Sequence, residues 1–138
     1  MRPSEIIGDT LGKNKHMTDL SRTAISEYWA SLKPNEQGLV PVVTTEASSN
    51  VVLMMAWMNE TSLAATLKNG LMHYWSRSRQ KFWLKGETSG HTQQVRRFHV
   101  DCDLDTLLFE VEQTGCACHT GHESCFFQEV DKQGLPVA

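Results

Sequence analysis

Residues 71–113 read LMHYWSRSRQKFWLKGETSGHTQQVRRFHVDCDLDTLLFEVEQ, and this stretch decides the fold. Short runs rich in β-branched and aromatic residues alternate with polar turns, giving strands at Met72–Ser76, Phe82–Lys85, Gln94–Asp103 and Thr106–Glu112. A further run of this kind follows at Ser124–Val130. Upstream, Leu39–Thr45 and Val51–Met58 read as two more strands, the second apolar on both faces and so buried, joined by the turn-rich Glu46–Asn50. Two helices complete the set. From Thr18 to Lys33 the residues Leu20, Ala24, Ile25, Tyr28 and Leu32 recur at helical spacing, and Pro34 closes the segment. Asn59 caps a shorter helix that runs to Asn69 and ends at Gly70. Strands that do not alternate with helices predict an α+β fold, a mainly antiparallel β-sheet domain with two helices.

The chain has 138 residues, enough for one core and too few for two. Residues 1–34 form an extension and the amphipathic helix, 35–131 the main domain, and 132–138 a tail; the first 16 are polar and aperiodic. The longest apolar run, Val51–Met58, is far too short to span a bilayer. The amino terminus lacks the apolar stretch of a signal peptide, so a cytoplasmic location is expected.

The net charge of -3 conceals a strong asymmetry. Residues 68–97 carry seven bases (Lys68, Arg77, Arg79, Lys81, Lys85, Arg96, Arg97) against Glu87 alone. Residues 98–138 carry eight acids against Lys132. The middle of the chain expects an anion and the end a cation.

All four cysteines, Cys102, Cys116, Cys118 and Cys125, fall within 24 consecutive residues. Without a secretory address, clustered thiols point to metal ligation or redox chemistry rather than to a disulfide framework. Three thiolates with a water in the fourth position describe a catalytic zinc, and four describe a closed structural one. The tight Cys116-x-Cys118 bite favours Cys116 as a non-ligand. His119 directly follows one of these thiols, where its imidazole suits proton transfer; the competing reading is a surface histidine.

The run Asp101-Cys102-Asp103-Leu104-Asp105 places carboxylates at every second position. On a strand they share one face, with Cys102 on the other, and hard oxygen donors there suit magnesium or calcium. An EF-hand loop also opens D-x-D-x-D, but its sixth position needs glycine and Thr106 stands there. A solvated acidic strand end without metal is the plain alternative. The loops Gly86–Gln93 and Thr114–Ser124, rich in glycine and hydroxyls, can turn backbone amides toward a ligand.

The strings AWMN (56–59), YWSRSR (74–79), WLKGETSGHTQ (83–93), DCDLD (101–105) and ACHTGHESCF (117–126) together resemble the phosphoribosyl-AMP cyclohydrolase family of histidine biosynthesis. The resemblance covers about Gly38 to Phe127, with the motifs in the same order. It implies a zinc- and magnesium-dependent hydrolase that opens the purine ring of 1-(5-phosphoribosyl)-AMP between nitrogen one and carbon six. It also implies an intertwined homodimer with zinc shared between subunits. By position, Cys102, Cys118 and Cys125 match the zinc ligands and Asp101, Asp103 and Asp105 the magnesium ligands, while Cys116 falls where the family pattern varies.

On that reading zinc supplies a water-derived nucleophile at neutral pH and His119 relays a proton. The basic stretch becomes a cradle for two phosphates. Its candidates are Ser76, Arg77, Ser78, Arg79, Lys85, Gly86, Thr88, Ser89 and Gly90, with Trp57 and Trp83 as candidate aromatic partners of the nucleotide; core packing competes for both and is the favoured role of Trp57. Family members are sometimes fused to a pyrophosphohydrolase domain; with eleven residues after Phe127, the cyclohydrolase alone is expected here. No nucleic acid or membrane partner is expected. A single-stranded RNA-binding zinc module and a purely structural zinc scaffold remain the alternatives, the first weakened by net acidity.

Overall fold

The computed structural model describes residues 17–137, with the side chains of the first helix described from Thr23 onward. The expected extension over residues 1–16 lies outside the described residues. The elements run α1 (Met17–Ser31), β1 (Val40–Glu46), β2 (Val52–Met58), α2 (Glu60–Asn69), β3 (His73–Ser76), β4 (Lys81–Leu84), β5 (Gln93–Val100) and β6 (Leu107–Gln113). One six-stranded sheet is ordered β4-β3-β2-β1-β6-β5, antiparallel throughout except for β1 beside β6. The α+β, mainly antiparallel expectation therefore holds.

The sheet curls until its ends meet. The Met72 amide donates to the Gln93 carbonyl (3.0 Å) and the Val95 amide to the Gly70 carbonyl (2.8 Å), so the segment leading into β3 bonds to the start of β5. Val40, Val42, Leu53, Met58, Tyr74, Leu107, Phe109 and Val111 fill the interior. Two helices cover it. In α1 the buried Ile25 and Tyr28 face inward, as does Leu32 just past its end, and Tyr28 meets Phe98 edge to face at 5.8 Å.

Helix α2 starts and stops where its sequence says. The Asn59 side chain accepts from the Ser62 amide and the Ser62 hydroxyl from the Asn59 amide, both at 2.9 Å, a reciprocal cap. At the other end Gly70 takes a left-handed φ of 74° and donates to the Thr66 carbonyl.

Three strand expectations are corrected. Ser124–Val130 is not a strand: the Ser124 hydroxyl and Cys125 amide bond to the Val52 and Leu53 carbonyls at the start of β2, and the chain then runs on with Phe126, Phe127 and Val130 exposed. Strand β2 is not buried on both faces, since Val52 and Met55 are each 41% exposed. The strand expected over Gln94–Asp103 stops at Val100, because Asp101 bends the chain.

Candidate active site

Residues 101–106 form a turn, not a strand, which overturns the alternating-face reading of the three aspartates. The Asp101 carboxylate accepts the amides of Asp105 (3.1 Å) and Thr106 (3.2 Å), and Leu104 adopts a left-handed φ of 67°. The turn still gathers Asp101, Asp103 and Asp105, with one carboxylate oxygen from each lying within 4.8 Å of the others. Their ionisation is uneven. Desolvation pushes Asp101 up, but hydrogen bonds from the Asp105 amide, from the Asp105 and Asp103 carboxyls and from the Thr106 amide outweigh it and hold Asp101 low. Asp103 is pushed up by its hydrogen bonds to Asp105 and Asp101 and by their charge. Such a trio relieves its repulsion by holding a proton or a cation. His99, just before the turn, pairs with Glu110 at 3.0 Å.

The thiol loop after β6 closes on itself. The Ala117 amide donates to the Glu123 carbonyl and the Cys118 amide to the His122 carbonyl, both at 3.1 Å. Cys125 is seated by its amide on the Leu53 carbonyl (2.7 Å), which sets its thiol near enough to Cys118 for each to bias the other's ionisation. The Cys118 thiol is pulled below the ordinary range, chiefly by the Thr120 hydroxyl at 2.9 Å, while burial pushes Cys125 up. Thr120 in turn meets His122 Nδ1 at 3.0 Å, and the His122 ring stacks on Phe127 at 3.7 Å. The sequence reading gave Thr120 no role and His122 a weaker claim than His119. Their signal was a hydroxyl two residues after a cysteine, the spacing of a local turn.

His119 is exposed beside Cys118, and Cys116 is half-buried. Cys102 lies elsewhere, exposed in the acidic turn. Because Gln93 pairs with Gln113 and Val100 with Leu107, the eight residues of β5, at ~3.3 Å each, separate that turn from the root of the thiol loop. The three thiols named as ligands are thus brought together only in part.

The basic candidates also divide. Lys85 donates to the Ala117 carbonyl at 2.6 Å and so belongs to the thiol loop, with its ammonium 5.7 Å from the centre of the Trp83 ring. Gly86 and Gly90, both at positive φ, shape the neighbouring loop, which leaves Thr88 and Ser89 exposed. Arg77 lies over Trp57 at 4.7 Å in the β3–β4 turn, where the Arg79 amide donates to the Ser76 hydroxyl and Ser78 lies 3.4 Å from it. Trp57 is half-buried, so it serves the surface as well as the core. Gln37, Arg77, Ser78 and Gln80 line a cleft of about 440 Å³ there.

The sequence pattern of phosphoribosyl-AMP cyclohydrolase matches residues 54–127, which include the AWMN, hairpin, acidic-turn and thiol-loop segments. This chain belongs to the phosphoribosyl-AMP cyclohydrolase family. It is 57% identical over 100 residues to the phosphoribosyl-AMP cyclohydrolase of Magnetococcus marinus, covering 72% of this chain and 78% of that protein. It is 51% identical over 120 residues to the enzyme of that name from Rhodospirillum rubrum, covering 87% and 82%. A histidine biosynthesis bifunctional protein of Prochlorococcus marinus is 52% identical over 107 residues, 77% of this chain and 47% of that longer protein. Membership makes the chain one of a family of enzymes, and no helix among the described residues is long and apolar enough to cross a membrane.

Proposed function

We propose that this chain hydrolyses 1-(5-phosphoribosyl)-AMP, opening the purine ring between nitrogen one and carbon six to give the formimino carboxamide ribotide of histidine biosynthesis. The observation that carries the reading is the neighbouring Cys118 and Cys125 thiols in a chain of this family, each biasing the other's ionisation, with the Lys85 ammonium on the carbonyl that precedes Cys118. Paired soft donors fit zinc, and three gathered carboxylates, one carrying a raised pKa, fit magnesium. Cys118, Cys125 and Cys102 would hold the zinc, and Asp101, Asp103 and Asp105 the magnesium.

Zinc, when bound, supplies a water-derived nucleophile at neutral pH. The protein's own groups do the rest. Ribosylation at nitrogen one makes the ring cationic and carbon six electrophilic, so the remaining tasks are holding the phosphates and moving protons. Arg77, Arg79, Ser76, Ser78 and the amides near Gly86–Gly90 bind phosphate; exposed His119 carries a proton to the departing nitrogen.

A second copy of this chain completes the site. Cys102 is a strand's length from its two companion thiols, and Val52, Met55, Phe82, Leu108, Phe126 and Phe127 leave apolar surface for a partner. The deciding experiment follows purine ring opening spectroscopically on phosphoribosyl-AMP, before and after chelation, with Cys116→Ser alongside. Loss of turnover on chelation, with Cys116→Ser unaffected, is expected. Full activity in metal-free protein overturns the reading.

A further inference from the structure

A chain of side-chain hydrogen bonds runs through the core beneath both loops that carry the proposed chemistry. Thr44 Oγ1 lies 2.8 Å from Tyr74 Oη, and Tyr74 Oη lies 2.6 Å from Gln93 Oε1. Gln93 Nε2 then reaches Gln113 Oε1 at 2.8 Å. Gln113 Nε2 ends the chain on three main-chain carbonyls, those of His91 (3.3 Å), Thr92 (3.4 Å) and Thr114 (2.9 Å). Thr44, Tyr74 and Gln93 are wholly buried. The chain joins β1, β3, β5 and β6 and stops where the loops at 86–92 and 114–124 leave the sheet.

The direction of every bond follows from its last step. Carbonyls only accept, so Gln113 must turn its NH2 toward them and its oxygen toward Gln93. Gln93 must then turn its own NH2 toward Gln113 and its oxygen toward Tyr74. Tyr74 spends its proton on Gln93, so Thr44 donates to Tyr74. A single polarity satisfies all four side chains, and no buried side-chain nitrogen or oxygen among the described residues lacks a partner.

We infer that Gln93 and Gln113 are positioning residues, which fix the spacing of the phosphate-binding loop and the thiol loop through this one-way chain. The inference rests on the proposed function for the tasks of the two loops, and on geometry for their linkage. One glycine marks how close the loops lie: a Cβ on Gly115 would meet the His91 ring at 2.6 Å. A shift of about 1 Å between a bound phosphate and the reacting carbon lowers turnover while leaving ground-state binding largely intact.

The test compares Gln113→Glu and Gln93→Met with Thr44→Val. A carboxylate at 113 cannot donate to the three carbonyls, and methionine at 93 fills the core while leaving Gln113 free to turn over. Thr44→Val removes only the head of the chain and keeps its polarity. We expect Gln113→Glu and Gln93→Met to lower kcat at least about tenfold with KM changed less than about threefold, and Thr44→Val to change either by no more than about twofold.

Amide hydrogen exchange at 86–92 and 114–124 should quicken at least about tenfold in the first two variants and stay unchanged in the third. This readout needs no substrate, so it judges the linkage even if the chain fails to open phosphoribosyl-AMP. Wild-type kcat and loop exchange in folded Gln113→Glu and Gln93→Met overturn the inference, as does a Thr44→Val variant that loses as much.

Discussion

The Lys85 ammonium donates across 2.6 Å to the carbonyl of Ala117, the residue that precedes Cys118. One side chain thus fastens the end of β4 to the root of the thiol loop, 32 residues further along. Its charge also favours the thiolate at both Cys118 and Cys125. Lys85→Met removes the pin and the charge while keeping the aliphatic stem. We expect zinc affinity, read by competition with a chromogenic chelator, to fall about 10-fold or more, the range for groups supporting a ligand from behind. The melting temperature should drop by a few degrees, consistent with about 1 kcal/mol for one half-exposed charged hydrogen bond.

Glycines at positive φ separate two costs that are usually entangled. Gly38 sits at φ +75° with nothing within 4 Å of an added Cβ, so Gly38→Ala meets backbone strain alone, about 1 kcal/mol. Gly86, at +85°, would place its Cβ 2.5 Å from the His91 carbonyl carbon and 2.7 Å from the Thr92 nitrogen, neither of which can swing aside as a side chain does. Gly86→Ala should therefore cost at least about 3 kcal/mol in urea unfolding. Equal costs at the two positions would show that the loop yields.

Much of the fold was legible because its signals are local. Asn59 and Gly70 announce α2, and both ends appear where their chemistry requires. The acidic turn shows the limit of pattern. Three aspartates at alternate positions satisfy the strand period, yet the same carboxylates can capture nearby amides, and Asp101 does so at Asp105 and Thr106. The grouping survived and the geometry did not. The seat of Cys125 on Leu53 was out of reach, since a bond between residues 72 apart leaves no periodic trace. Strand β2 misled for a related reason: apolar residues facing solvent in one chain look the same in sequence as core.

The raised Asp103 carboxyl gives the proposed magnesium site a definite pH sign. Folded, it holds a proton more tightly than the unfolded chain does. That contribution to stability is present at low pH and is lost as the pH rises through the folded value, above which three carboxylates repel. A divalent cation relieves the repulsion only where the carboxylates are ionised. Magnesium should therefore raise the melting temperature clearly near pH 7.5 and hardly at all near pH 4, close to ordinary carboxylate values. Asp103→Asn should abolish the difference. An equal magnesium effect at both pH values would exclude this turn as the binding site.

Whether two chains share each site can be read by counting. Cys102→Ala and Cys118→Ala should each be inactive alone. If a symmetric dimer joins Cys102 of one chain to Cys118 and Cys125 of the other, a mixed dimer contains one site with both defects and one with neither. Unfolding and refolding equal amounts together gives half mixed dimers, so about one quarter of wild-type turnover should return. If each chain instead built its own site, every site in the mixture would carry a defect and no activity would appear. The yield also distinguishes a shared site from incidental stabilisation, which would have no reason to plateau near a quarter.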